Sequence, residues 1–131
     1  KILRLCLFHL AKKMKALKEK IVNILDGYLG EDYLLFVFGS FAKGKIVKSS
    51  DIDLAVYKAI KIPACLLIQA KDDMERKLGT LRDIDVVNLT DKNVGLKLLE
   101  NILKEGIIWR EAKNSKELLK NLKKRLKNSE K

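Results

Sequence analysis

The longest regularity in the chain is a set of apolar positions spaced alternately four and three residues apart: Leu3, Leu7, Leu10, Met14, Leu17, Ile21, Ile24 and Tyr28. That spacing predicts a helix over residues 1–28 with an a/d seam of the coiled-coil type. Three short β-type runs follow. Residues 33–38 predict a strand that ends in a Gly39-Ser40 turn and a short helical turn at 40–44, and residues 52–57 and 83–89 predict two more strands. Between these last two, Pro63 opens a helix to about Leu78, with Leu67, Ala70, Met74 and Leu78 along one face, and Gly79 ends it. Asp91 or Asn93 is expected to cap a helix to about Lys104, stopped by Gly106. A short strand at 107–110 and a basic helix from a Ser115 cap to about Leu126 complete the pattern. The expectation is an α/β (α+β) chain: a small mixed β-sheet, helices packed on one side, and a long N-terminal helix. At 131 residues it reads as a single domain over 1–131, with the N-terminal helix at 1–28, a core at 33–110 and a basic C-terminal helix or tail at 114–131.

The candidate chemistry lies where the first two strands meet their turns. Gly39 and Ser40 close the first apolar run, and Asp51 and Asp53 open the second. Side chains alternate along a strand, so Asp51 and Asp53 share a face while Ile52 points to the core. Two hard oxygen ligands on one face suit Mg²⁺, which takes one or two protein carboxylates together with substrate phosphates. A two-metal site needs a further carboxylate. The run LRDIDVVNL at 81–89 supplies it, and Asp85 is preferred over Asp83 because it lies deeper in the β-branched stretch. Each piece alone is ordinary: Gly-Ser is common turn chemistry, and Asp-x-Asp is often a solvated turn. Their conjunction carries the reading.

The spacing G-S-x10-D-x-D, met by Gly39, Ser40, Asp51 and Asp53, resembles the signature of the minimal nucleotidyltransferases (MNT) of the DNA polymerase β-type superfamily. The Asp85 strand resembles that family's third-carboxylate strand, and residues 93–111 its closing helix and last strand, so the likeness covers roughly 15–111. It implies a nucleotidyltransferase in which Asp51, Asp53 and Asp85 are catalytic and hold two Mg²⁺ ions. Gly39, Ser40, Lys43 and Ser50 would bind the nucleotide, with Lys45 a further cation for the triphosphate and ATP as the substrate. The family often has Arg in this turn; Lys43 keeps the charge but loses the planar fork. The chain has no second substrate domain, so the acceptor must bring its own binding surface. The resemblance therefore implies a protein adenylyltransferase antitoxin that transfers AMP to a tyrosine of a HEPN-type toxin. A nucleic-acid nucleotidyltransferase and a non-catalytic antitoxin acting by binding alone are the alternatives.

Composition refines this. The net charge is +11, but residues 1–20 and 110–131 each carry +6 and the segment between them −1. Basic ends raise nucleic acid as a partner; the absence of aromatic residues from the tail favours a solvated helix face instead. An acidic protein is a third partner. Residues 1–13 lie outside the resemblance and Met14 could be a start, so that seam either docks a partner, a second copy of the chain included, or is foreign to the natural product. Two distant cysteines, Cys6 and Cys65, fit reduced thiols, and His9 stands alone. No apolar run reaches the ~20 residues of a membrane span, and the N-terminus does not read as a signal peptide. The expected location is cytoplasmic.

Overall fold

Every side chain of the first strand from Tyr33 to Val37 is buried, so helices must cover both faces of the sheet it belongs to. The computed structural model describes residues 2–43, 51–79 and 82–129, with side chains from Lys12 onward except at Phe41 and Ser129. Among them the chain order is α1 (Ile2–Leu29), β1 (Tyr33–Phe38), α2 (Gly39–Ala42), β2 (Ile52–Lys58), α3 (Ala64–Lys77), β3 (Ile84–Asn88), α4 (Leu96–Glu105), β4 (Ile107–Arg110) and α5 (Ser115–Ser129). The strands form one sheet in the order β3-β2-β1-β4. β1 pairs antiparallel with both β2 and β4, and β2 pairs parallel with β3. The parallel pair needs a crossover, and α3 provides it. The α/β class and the small mixed sheet are as expected.

The strand alternation sorts the core into two clusters. Tyr33, Leu35, Val37, Leu54 and Val56 meet Ile21, Leu25 and Leu29 of α1 and Leu67, Ala70 and Met74 of α3. Leu34, Phe36, Ala55 and Tyr57 meet Leu99 and Ile102 of α4 and Leu118 and Leu122 of α5. Helices packed on one side therefore describes α1 and α3 alone; α4 and α5 cover the opposite face. The apolar run of β1 contains no polar alternation, which is what a strand covered on both faces requires.

Local details also differ from the pattern. Along α1 the fully buried line is Ile21, Leu25, Leu29, at a spacing of four, while Ile24 and Tyr28 sit on its shoulder. A straight helix of 3.6 residues per turn drifts off a 3.5-residue seam, and a sheet partner does not correct that drift as a second helix would. The side chains of Leu3, Leu7 and Leu10, like those of Cys6 and His9, lie outside the described residues. Pro63 is the N-cap of α3 and not its first residue. Gly95, not Asp91 or Asn93, caps α4, because Asp91 Oδ1 is used in a local turn, accepting from the Asn93 amide at 2.9 Å. Ser115 is the first residue of α5; its hydroxyl turns back on Ala112 while Asn114 O accepts the first helical bond, from the Leu118 amide.

Two polar braces fix α1 to the rest. Asp26 accepts hydrogen bonds from Tyr33 Oη at 2.7 Å and Arg110 Nε at 2.6 Å, and the Arg110 guanidinium lies 4.8 Å from the Tyr33 ring centroid. Tyr28 Oη donates to Asp73 of α3. Arg125 of α5 donates to the Leu89 carbonyl at 2.6 Å, which anchors the last helix just beyond the end of β3.

Candidate active site

The in-register parallel pairing of β2 and β3 sets Asp53 directly opposite Asp85. Parallel register partners point to the same side, and neighbouring strands are about 4.8 Å apart, so the two carboxylates stand side by side. The neighbours of Asp53, Ile52 and Leu54, are fully buried in the cluster under α1 and α3, which fixes Asp53 on the opposite face. Asp51 lies just ahead of β2 and is exposed. Asp83 holds the mouth of the strand pair through its backbone, accepting from the Ile52 amide at 2.8 Å.

The glycine bend closes on this pair from the β1 side. Phe38 is the register partner of Asp53, so the next residue, Gly39, turns over its carboxylate. Gly39 has φ +73°, and a Cβ there would fall 2.3 Å from Asp53 Oδ2. Glycine is needed for two reasons: the left-handed backbone, and the absence of space above the carboxylate. The spacing of the motif signals the turn but not this contact.

Electrostatics mark Asp53 as the strained member. Burial raises its carboxyl above the usual range, and the negative charges of Asp85 and Asp51 push it the same way. Asp85 is relieved by a cation that the sequence did not point to: Lys71 Nζ of α3 lies 3.8 Å from its Oδ1. The available signal was position, since Lys71 follows Leu67 by one turn on the helix that crosses between the two acidic strands. Asp53, Asp85 and Lys71 line one open cleft with Leu67, Ile68 and Val87. Ser40 is exposed in the short helical turn. Lys43, expected at the triphosphate, pairs with Glu105 at 3.2 Å. Lys45 and Ser50 lie outside the described residues. Among the described residues no three His, Cys, Asp or Glu side chains converge closely enough to cage a metal ion. The arranged part of the expected set is thus the Asp53–Asp85 pair. No helix among those residues is long and apolar enough to cross a membrane.

Solved structures share this architecture. A toxin–antitoxin with AMP-PNP superposes with TM-score 0.69 at 18% identity, covering 86% of this chain and 89% of that one. The tri-AMPylated Shewanella oneidensis HEPN toxin in complex with MNT antitoxin gives TM-score 0.66 at 20% identity, over 88% and 86%. The toxin–antitoxin MntA-HepT gives 0.66 at 16%, over 88% and 89%. At these identities the likeness is one of fold. No curated protein sequence matches the chain. The family model described as Polymerase beta, Nucleotidyltransferase matches residues 19–115, a span that takes in all four strands and every carboxylate discussed above. The chain belongs to that nucleotidyltransferase family.

Proposed function

We propose that this chain is a cytoplasmic, Mg²⁺-dependent adenylyltransferase antitoxin that moves AMP from ATP to a tyrosine hydroxyl of a HEPN-type toxin. The observation that carries the reading is the Asp53–Asp85 pair, set in register on adjacent parallel strands with the Gly39 bend seated on it, in a member of a nucleotidyltransferase family. Similar folds described with AMP-PNP and with an AMPylated HEPN toxin support the nucleotide and the acceptor class.

The donor set fits a divalent cation. Asp51, Asp53 and Asp85 are hard oxygen donors, and the pressure of two other negative charges on Asp53 is what a cation would relieve. When bound, Mg²⁺ would supply positive charge at the reacting phosphate, held by these three carboxylates. The remaining work falls to the chain itself. The Gly39 and Ser40 amides and the Ser40 hydroxyl receive phosphate oxygens on the β1 side of the carboxylates. Lys43 and Ser50 act on the same phosphates; for Lys43 this means leaving Glu105, an exposed pair worth less than about 1 kcal/mol. Asp85 takes the proton of the acceptor hydroxyl, whose oxygen bonds to the α-phosphorus as the bond to pyrophosphate breaks. Lys71, beside Asp85, moderates the charge of that carboxylate before substrates arrive.

The test is to incubate the chain with α-labelled ATP, Mg²⁺ and the product of a neighbouring HEPN gene. Label should appear on a tyrosine of that partner, and Asp53→Asn should abolish it. Neutralisation of the toxin without label, unaffected by Asp53→Asn, would show that contact alone suffices and would overturn the proposal.

A further inference from the structure

The outer face of α5 carries a feature that nucleotide transfer does not use. The inner face is fixed by buried Leu118 and Leu122 and by the Arg125 bond to Leu89. At about 100° per residue, Lys116, Lys120, Lys123, Lys124 and Lys127 fall within an arc of about 100° on the opposite side. All five are exposed, and they line one shallow groove whose single apolar wall is half-buried Leu119. Among the described residues none of the five makes an ion pair, whereas Lys43, Lys71, Lys77 and Lys104 all do. Lys116–Lys120, Lys120–Lys124 and Lys123–Lys127 are like charges one turn apart, an arrangement that weakens a helix left to itself. A polyanion lying along the row would reverse the sign of that effect.

We propose that this lysine face is a docking surface for double-stranded nucleic acid, held through its phosphates without reading sequence. Protein interfaces are depleted in Lys and depend on Tyr, Trp, Arg or Met anchors, and the groove has none of these. Binding of single strands depends on aromatic stacking, and α5 contains no aromatic residue. A straight row of point charges from Lys116 to Lys127, about 16 Å long, suits the dense, regular charge of a duplex backbone. The basic residues of α1 belong to a helix on the other face of the sheet, so the surface is α5's own.

The test uses the full chain and a labelled duplex of about 20 base pairs and arbitrary sequence, titrated by fluorescence anisotropy from about 50 to 200 mM KCl. Five phosphate contacts correspond to a slope of log K against log salt of about −4.5. The Lys120→Gln/Lys123→Gln/Lys124→Gln variant should bring the slope to about −1.8 and weaken low-salt binding by at least about tenfold. The substitutions also remove repulsion, so the variant should unfold at no lower a temperature than the parent, and its nucleotide transfer should be unchanged. Three results would overturn the proposal: no duplex binding at the lowest salt, a slope that the variant leaves unaltered, or polyglutamate bound more tightly than the duplex.

Discussion

Asp53 is held where a carboxylate is least comfortable: partly buried, facing Asp85, with Asp51 close by and the backbone of Gly39 against its oxygen. Side chains kept in such surroundings lower stability in return for function. Asp53→Asn removes the repulsion and keeps the shape. It should therefore lose nucleotide transfer by more than about a hundredfold, on the scale of a lost electrostatic group in a catalytic site. Its melting temperature at neutral pH should equal or exceed the parent's; a fall of several degrees would mean that the Asp53 charge is structurally required. Gly39→Ala should behave in the opposite way. A side chain at φ +73° costs about 1–3 kcal/mol, and here its Cβ also collides with Asp53 Oδ2. Chemical denaturation should show that loss together with loss of transfer. Retention of both would mean that the bend can move off the carboxylate.

At the scale of elements, the strands were legible from the sequence almost residue by residue. β1 and β4 begin and end where expected; for β1 the reason is that a buried apolar run leaves little freedom in register. The helix ends at Gly79 and Gly106 were legible, but the N-caps were not. Asp91, Asn93 and Ser115 are good capping residues, but each, or the residue it binds, is occupied in a local turn, and local alternatives compete with capping on nearly equal terms. The buried line of α1 was displaced by one residue because the helix packs on a sheet and not on a second helix. That displacement can be measured. Leu25→Ala should cost about 2–5 kcal/mol, and Ile24→Ala clearly less, since Ile24 is only partly buried; equal costs would restore the sequence-derived seam. The brace between α1 and α3 gives a pH dependence. The Tyr28 hydroxyl, donating to Asp73, holds that carboxyl below its usual range. A depressed folded-state value means that the charged form contributes stability above the ordinary carboxylate range, and that this contribution fades as pH falls through the depressed value. Tyr28→Phe should melt lower than the parent near pH 7, with the gap closing in acid. A gap that stays constant to about pH 2 would assign the difference to packing.

At the scale of the molecule, no local pattern marked which face each helix would cover. The strands of a short mixed sheet are compatible with one covered face or two, and the uninterrupted burial of β1 from Tyr33 to Val37 decides for two. The consequence is functional. Asp53 and Asp85 lie on the face that α4 and α5 cover, while α3 borders their cleft at the open edge of β3 with Leu67, Ile68 and Lys71, of which Lys71 pairs with Asp85. The candidate site is therefore framed by the sheet edge, the Gly39 bend and one lysine. Lys71 was missed because its partner is 14 residues away in sequence, across a crossover whose geometry no local pattern encodes. Calorimetric titration of Mn²⁺ in the presence of a non-hydrolysable ATP analogue tests the convergence of these groups most directly. The expected result is saturable, nucleotide-linked binding by the parent chain that is lost in both Asp53→Asn and Asp85→Asn. Undiminished binding by the Asp85→Asn variant would contradict it, because the two strands would then not be contributing to one site.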